Sequence, residues 1–353
     1  MKVKIAAVLA VTAICLVWVL WGVDFSAVRS QVTVYRWWVL VPTWACYLAA
    51  HLCRVLRLGV LLGRPVPFGR LLSVNSIGFL AINVVPLRLG ELVRPYLLFE
   101  RERVPMGVAM SAIFIERILD FLLLLAMLLA AGIVDLPNTS VDVFGMDVVR
   151  AGQRMAGGAV GLGLLFTLAV MGVGEPLVVM MERAVGHVGA GRWRTMVALF
   201  AFMRGFRAGV ADLVRVPARA AAALGLSVAI WMLTIMAIRV GLSGADLPGV
   251  GWSSALVTWA ITLSAMTAVP TPGFFGAFEA AFSGALRIQG YAPSASVALA
   301  LILHLGQLAF TVVVGGVFLV AEGWSLRDLV RRSRNTSSSK NDEPPVDCTG
   351  GDR

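Results

Sequence analysis

The sequence predicts an all-α polytopic membrane protein: six full spans plus two re-entrant helical hairpins arranged as an inverted repeat. Three observations carry that expectation. Apolar residues make up 59% of the 353 residues and charged residues only 14%, against about 45–50% and about 25% in ordinary soluble chains. With a mean hydropathy of +0.85, no soluble fold could cover that much apolar surface with so few charges. Six stretches reach the length of about 20 mostly apolar residues that a span requires. Two further apolar stretches are broken near their centres by Pro and Gly, and they repeat one another's pattern.

The first apolar run, 5–23, is longer than the about 7–15 residues of a signal-peptide core, and no A-x-A pattern follows it. It is expected to stay as the first span. The other candidate spans are 37–53, 107–134, 155–175, 218–238 and 294–321. Segments 71–104 and 252–290 are too long for one span and too interrupted for a comfortable pair. Each is expected to enter and leave on one side, with its irregular tip held inside protein, where unpaired backbone is tolerated.

Charge gives the orientation. With the N-terminus inside, Arg54, Arg57, Arg64 and Arg70 follow the second span, and Arg101 and Arg103 follow the first hairpin, on the same side. Asp135, Asp142 and Asp147 fall opposite; Arg183, Arg192, Arg194, Arg204, Arg207, Arg215 and Arg219 return inside, as do Arg327, Arg331, Arg332 and Arg334. Reading either hairpin as a single crossing would invert everything after it, so the positive-inside rule favours hairpins. A multi-pass protein of the bacterial cytoplasmic (inner) membrane, both termini cytoplasmic, is expected. The loop 176–216 mixes arginines with Leu199, Phe200, Phe202, Met203 and Phe206, suiting helices on the anionic inner surface or a cap over the bundle. A membrane domain over 1–332 and a disordered tail over 333–353 complete the division.

The broken segments read Asn83-Val-Val-Pro86-Leu-Arg88-Leu-Gly90-Glu91 and Val269-Pro270-Thr-Pro272-Gly273-Phe-Phe-Gly276-Ala-Phe-Glu279. Each gives Val-Pro, then Gly, then Glu, and each precedes another Pro (Pro105, Pro293) that opens a long span. Polar groups follow about ten residues into those spans: Glu116, Arg117 and Asp120 in one, His304 and Gln307 in the other. Repeat one is expected over about 37–134 and repeat two over about 218–321, facing opposite ways. Inverted repeats with broken helices meeting near the midplane are a transporter architecture. Pro86, Gly90, Pro270, Pro272, Gly273 and Gly276 are the expected hairpin tips.

At these residues the sequence resembles a known family. The run Asn83-to-Arg94 (NVVPLRLGELVR), the pattern Glu116-Arg117-x-x-Asp120 and the run PTPGFFGAFE at 270–279 resemble the flippase-like transmembrane domain of lysylphosphatidylglycerol synthases. The resemblance spans roughly 5–325. Bifunctional members carry a soluble aminoacyl-transferase domain; here about thirty residues follow the last span, so lipid synthesis is not expected. The resemblance implies a stand-alone module that binds or translocates a lipid: a phospholipid, an aminoacylated phospholipid or a prenyl-linked lipid.

A charge at helix centre costs about 2.5–3.5 kcal/mol on insertion scales, so each needs a partner, a wet cavity or a use. Asn83, Arg88, Glu91, Arg94, Glu116, Arg117, Asp120, Glu279, His304 and Gln307 are therefore the candidate substrate-binding residues. Arg88, Arg94 or Arg117 would meet a lipid phosphate, and the carboxylates a cationic headgroup or a proton. The bland reading of the same residues is a network locking the first hairpin to its span. Glu279 is expected either to titrate as a desolvated carboxylate or to pair with Arg117 or His304. Asn83 would satisfy backbone freed at the first break.

No P-loop, HExxH or GxSxG motif occurs, and three histidines with four scattered cysteines give no metal spacing. No catalytic residue, metal or cofactor is expected, and no nucleic acid. The expected partners are membrane lipids and a separate lipid-modifying synthase. The alternative is an intramembrane enzyme or accessory subunit acting on lipid-linked intermediates, with Glu116, Asp120 and His304 as acid/base groups.

Overall fold

The computed structural model describes residues 24–84, 91–133, 190–245, 247–269 and 271–323, with isolated short pieces between 142 and 165. The expected span 5–23, almost all of the span 155–175, the tail, and Pro86, Arg88, Gly90 and Pro270 lie outside the described residues. Within them the chain is helical except for turns and one antiparallel pair of two-residue strands, Asp142–Val143 and Met146–Asp147.

Among the described residues, a helix unforeseen in the sequence comes first. α1 (Phe25–Val34) starts at Asp24, whose Oδ1 accepts from the Ser26 amide at 2.8 Å, satisfying an orphan donor of the first turn. A 3-10 turn, Trp37–Val39, leads into α2 (Leu40–Leu62), which ends at Gly63 in the left-handed conformation, φ 66°. α2 continues nine residues beyond Cys53, where apolar content alone would end the span. Arg54 and Arg57, expected in the loop that follows, are therefore inside the helix. Arg57 is 2% exposed, because carboxylates on a neighbouring helix offset its charge.

The first broken segment forms α3 (Phe68–Val84) and α4 (Val93–Glu102); α5 (Met106–Ile133) follows Pro105. α6 (Ala190–Arg215) occupies the end of the basic loop, and Pro217 at the first helical position opens α7 (Pro217–Leu242). The second broken segment forms α8 (Trp252–Ala268), a 3-10 turn at Pro272–Phe274 and α9 (Ala277–Ile288). α10 (Pro293–Ala321) is the last helix described. Among the described residues, three stretches are long and apolar enough to cross a membrane: Trp37–Leu62, Pro217–Leu242 and Pro293–Ala321. α5 is as long, but Glu116, Arg117 and Asp120 interrupt its apolar run.

The packing follows a reciprocal pattern. α2 crosses α7. α3 lies against α10, while α8 lies against α5. α1 docks on α10, and α6 on α5. The apolar core accordingly has two main clusters. One is built from α2, α3, α4 and the start of α5 and is completed by Leu319 of α10. The other is built from α7, α8, α9 and α10 and is completed by Leu124, Met127 and Leu128 of α5.

Small residues set the closest approaches. A Cβ at Gly315 would lie 2.5 Å from Leu80 Cβ and 2.8 Å from the Ser76 carbonyl oxygen, so α10 can press on α3 only with glycine there. α6 docks in the same way, with Gly209 over Ser111 and Gly205 over Gly107. Phe206, buried on α6, meets Phe114 edge-on at 5.4 Å. The basic loop thus ends in a helix packed against α5.

Candidate functional site

Two buried polar nodes fix the hairpins. In the first, Arg94 of α4 lays its alkyl stem over α3 at Gly78, where a Cβ would come within 2.1 Å of Arg94 Cγ. Its Nη1 donates to Glu116 Oε2 at 2.7 Å. Arg57 of α2 lies on the other side of Glu116, with Nε 3.5 Å from Oε1. It donates through Nη1 to Asp120 Oδ1 at 2.8 Å and to Ser227 Oγ of α7 at 2.9 Å. Arg117 reaches Asp120 Oδ2 at 3.4 Å, one turn along its own helix. Arg57, Arg94 and Glu116 are each no more than 2% exposed. Stripping one partner from such a set leaves a buried unpaired charge, at a cost of about 3–5 kcal/mol.

The second node holds the other hairpin's tip. Gly273 at φ 58° and Gly276 at φ 81° make the turn, a backbone geometry that glycine adopts without strain. Phe274, at φ 60°, is held in that same region. The Gly276 amide donates to Glu279 Oε2 at 2.7 Å, so the Glu279 carboxylate satisfies a backbone donor at the start of α9. His304 of α10 sits with Nδ1 2.6 Å from Glu279 Oε1 and Nε2 3.0 Å from the Gly273 carbonyl oxygen. A carbonyl only accepts, so Nε2 carries a proton. The imidazole stacks on Phe278, with centroids 4.3 Å apart.

The nodes occupy matching places. Glu116 stands eleven residues after Pro105 and His304 eleven after Pro293; each binds a side chain from the returning helix of its own hairpin. The breaks themselves meet: the Asn83 carbonyl oxygen would be 3.6 Å from a Cβ on Gly273.

Between the nodes lies a cavity of about 220 Å³. α2 contributes Tyr47, His51 and Arg54; α3 contributes Ser76, Phe79 and Asn83; α5 contributes Arg117 and Asp120. Trp231 and Thr234 come from α7, Trp259 and Thr267 from α8, and Gln307 and Thr311 from α10, with Glu91 and Phe274 at the breaks. Gln307 is the middle residue of α10, and Asp120 lies at the middle of α5. The cavity is therefore at mid-depth of the long helices. His51 Nε2 meets Ser76 Oγ at 2.9 Å, and the Asn83 amide donates to the Phe79 carbonyl at 2.9 Å. The Arg54 guanidinium lies 5.5 Å from the centroid of the Phe79 ring.

Of the residues singled out in the sequence, Asn83, Glu91, Arg117, Asp120 and Gln307 line this cavity. Arg94, Glu116, Glu279 and His304 belong to the nodes instead and are absent from its wall. Glu279 pairs with His304 rather than standing alone. Pro272 and Gly273 form the tip turn and Gly276 caps α9, while Pro86, Arg88, Gly90 and Pro270 lie outside the described residues. Sequence reasoning missed Tyr47, His51 and Arg54. Their spacing, i, i+4 and i+7, is that of one helical face, and it was the available signal. Trp231 and Trp259 carried none, being indistinguishable from lipid-facing aromatics.

Apolar helices long enough to cross a membrane, packed around a mid-depth cavity with the two breaks beside it, define a multi-pass, all-helical membrane protein with an internal cavity. Residues 5–315 match the lysylphosphatidylglycerol synthase TM region family, and the chain belongs to that family, which links it to lipid handling. Neither curated proteins nor solved structures gave a match.

Proposed function

We propose that this protein binds a charged-headgroup lipid and moves it between the leaflets of the bacterial inner membrane, the headgroup passing through the central cavity while the chains stay in lipid. The single observation that carries this reading is the cavity's position, at mid-depth and beside both hairpin breaks, with a wall drawn from both halves of the chain. Its membership of a lipid-handling family supports the lipid as cargo.

The architecture we propose is the six-span, two-hairpin inverted repeat, with repeats over about 37–134 and 218–321 and both termini cytoplasmic. The reciprocal packing supports it: swapping α2 with α7, α3 with α8, α5 with α10 and α1 with α6 turns the contact of α3 with α10 into that of α8 with α5, and the contact of α1 with α10 into that of α6 with α5. Rocking one half against the other would expose the cavity to alternate sides. The lipid would come from a separate synthase, and this chain would do no chemistry on it. The alternative of an intramembrane enzyme is less well supported, because Glu116 and His304, two of its three acid/base candidates, are spent on the nodes.

The test is leaflet exchange of fluorescent phosphatidylglycerol, aminoacyl-phosphatidylglycerol and a prenyl phosphate in proteoliposomes. Protein-dependent exchange of at least one of them is expected, with at least a ten-fold loss in Thr311→Trp, which fills the chamber from α10. Exchange that Thr311→Trp leaves intact, in protein that elutes as wild type, would place the pathway elsewhere. A mass change in the lipid would favour the enzyme.

A further inference from the structure

The polar groups of the cavity are not balanced between donors and acceptors. Tyr47 Oη, Trp231 Nε1, Trp259 Nε1 and Arg117 Nε are buried without a hydrogen-bond partner, and all four residues line the chamber. All four groups can donate, and three of them can only donate. On the acceptor side, the one lining atom in the same condition is Gln307 Oε1. Tyr47, Trp231 and Trp259 are 6%, 9% and 4% exposed.

Charge points the same way. Glu116 and Asp120 are taken up by Arg94, Arg57 and Arg117. Arg54 meets no carboxylate at ion-pair distance among the described residues; its guanidinium lies over the Phe79 ring, and Asp120, the carboxylate acting on it most strongly, is already bonded to Arg57 and Arg117. Four arginines (Arg54, Arg57, Arg94, Arg117) face three carboxylates (Glu91, Glu116, Asp120), leaving one positive charge in the described wall and its supports. An uncompensated cation and several buried donors at mid-membrane depth are costly to keep. One ligand would offset all of them: an anion with several acceptor oxygens.

We propose that Arg54, Arg117, Tyr47, Trp231 and Trp259 form a phosphate-binding site that takes the phosphate of an anionic lipid headgroup. Phosphate offers several acceptor oxygens and suits the planar guanidinium fork of Arg54. The inference deepens the translocation reading by naming the cargo's charge. It rests on that reading only for the lipid source of the phosphate. It also sets an order among the candidate lipids: a phosphomonoester on a prenyl or diacyl chain first, phosphatidylglycerol next, and a cationic aminoacylated lipid last.

Purified full-length protein in detergent, titrated with farnesyl phosphate, farnesol, inorganic phosphate and an aminoacyl-phosphatidylglycerol, tests it by quenching of Trp231 and Trp259 fluorescence and by native mass spectrometry. Farnesyl phosphate is expected to bind at least ten-fold more tightly than farnesol or the cationic lipid. Arg54→Gln should lose at least ten-fold, Arg54→Lys less than three-fold, and Tyr47→Phe about three-fold. Arg54 lies outside both nodes, and co-elution with wild type checks its fold. Equal affinity in Arg54→Gln, equal binding of farnesol, or tightest binding of the cationic lipid would overturn the site. Inorganic phosphate binding as tightly as farnesyl phosphate would overturn the lipid assignment. Phosphate-dependent binding without leaflet exchange would uphold the site and sink translocation; exchange indifferent to Arg54 and to phosphate would do the reverse.

Discussion

Gly78 works through its lack of a side chain, which lets Arg94 cross α3 to reach Glu116. In Gly78→Ala the new methyl would occupy the path of the Arg94 stem. Thermal unfolding in detergent is expected to show a loss of about 3–5 kcal/mol, as for a broken buried pair. Arg94→Ala should cost a similar amount. The double substitution should cost little more than either alone, because both remove one interaction; full additivity would separate Gly78 from the ion pair. At the opposite extreme of exposure, the Ser26 hydroxyl, with the Ser26 and Ala27 amides, holds the Asp24 carboxyl below its ordinary range. A depressed folded-state pKa means that this cap stabilises α1 above the unfolded value and is lost as pH falls through the folded one. Asp24→Ala should speed amide hydrogen exchange in 25–34 at neutral pH and leave α9 unaffected.

At the scale of elements, the second hairpin offers the sharper test. Glu279→Ala removes both the cap of α9 and the partner of His304, so exchange in 273–282 should rise at least ten-fold. Glu279→Gln keeps an acceptor for the Gly276 amide and a donor for Nδ1, and should leave that protection within about two-fold. If both variants behave alike, the carboxylate's charge rather than its hydrogen-bond geometry holds the tip. The seam between α3 and α10 is a second such element. Gly315→Ala would drive a methyl into Leu80 and the Ser76 carbonyl, an overpacking cost of about 1–3 kcal/mol that denaturation in detergent would register.

Much of this level was legible in the sequence. Pro105 and Pro293 opened long helices within a residue of where apolar content placed them, and the Pro-Gly interruptions of 71–104 and 252–290 fell between helix pairs. The end of α2 was not legible, because Arg57 reads as a headgroup residue until Asp120, 63 positions away, is known to accept from it. The division of polar residues between nodes and cavity was hidden for the same reason. Glu116 and Asp120 look alike on one helical face, and only the neighbours brought by α2 and α4 separate them.

For the whole molecule, orientation is the property to measure. The proposed inverted repeat puts α1 outside and α6 inside. Single cysteines at Ser30 and Arg215, both exposed, in a background with native cysteines replaced, should react with a membrane-impermeant maleimide from opposite faces of the cell membrane. Labelling of both from one face would break the inverted arrangement while leaving the cavity as described.

The exchange of Leu319 for Leu124 and Leu128 between the two clusters also bears on how the protein is made. The half synthesised first holds Arg57, Arg94, Glu116 and a wall of α3 shaped for α10, yet α10 begins more than two hundred residues after α3 ends. Through that interval the nascent chain carries an open groove at membrane depth, which lipid or an insertion chaperone must cover. Chains released early, before residue 293, are therefore expected to be quality-control substrates rather than half-sized transporters. A pulse-chase comparison of chains stopped at 292 and at 323 would show it as a difference in half-life.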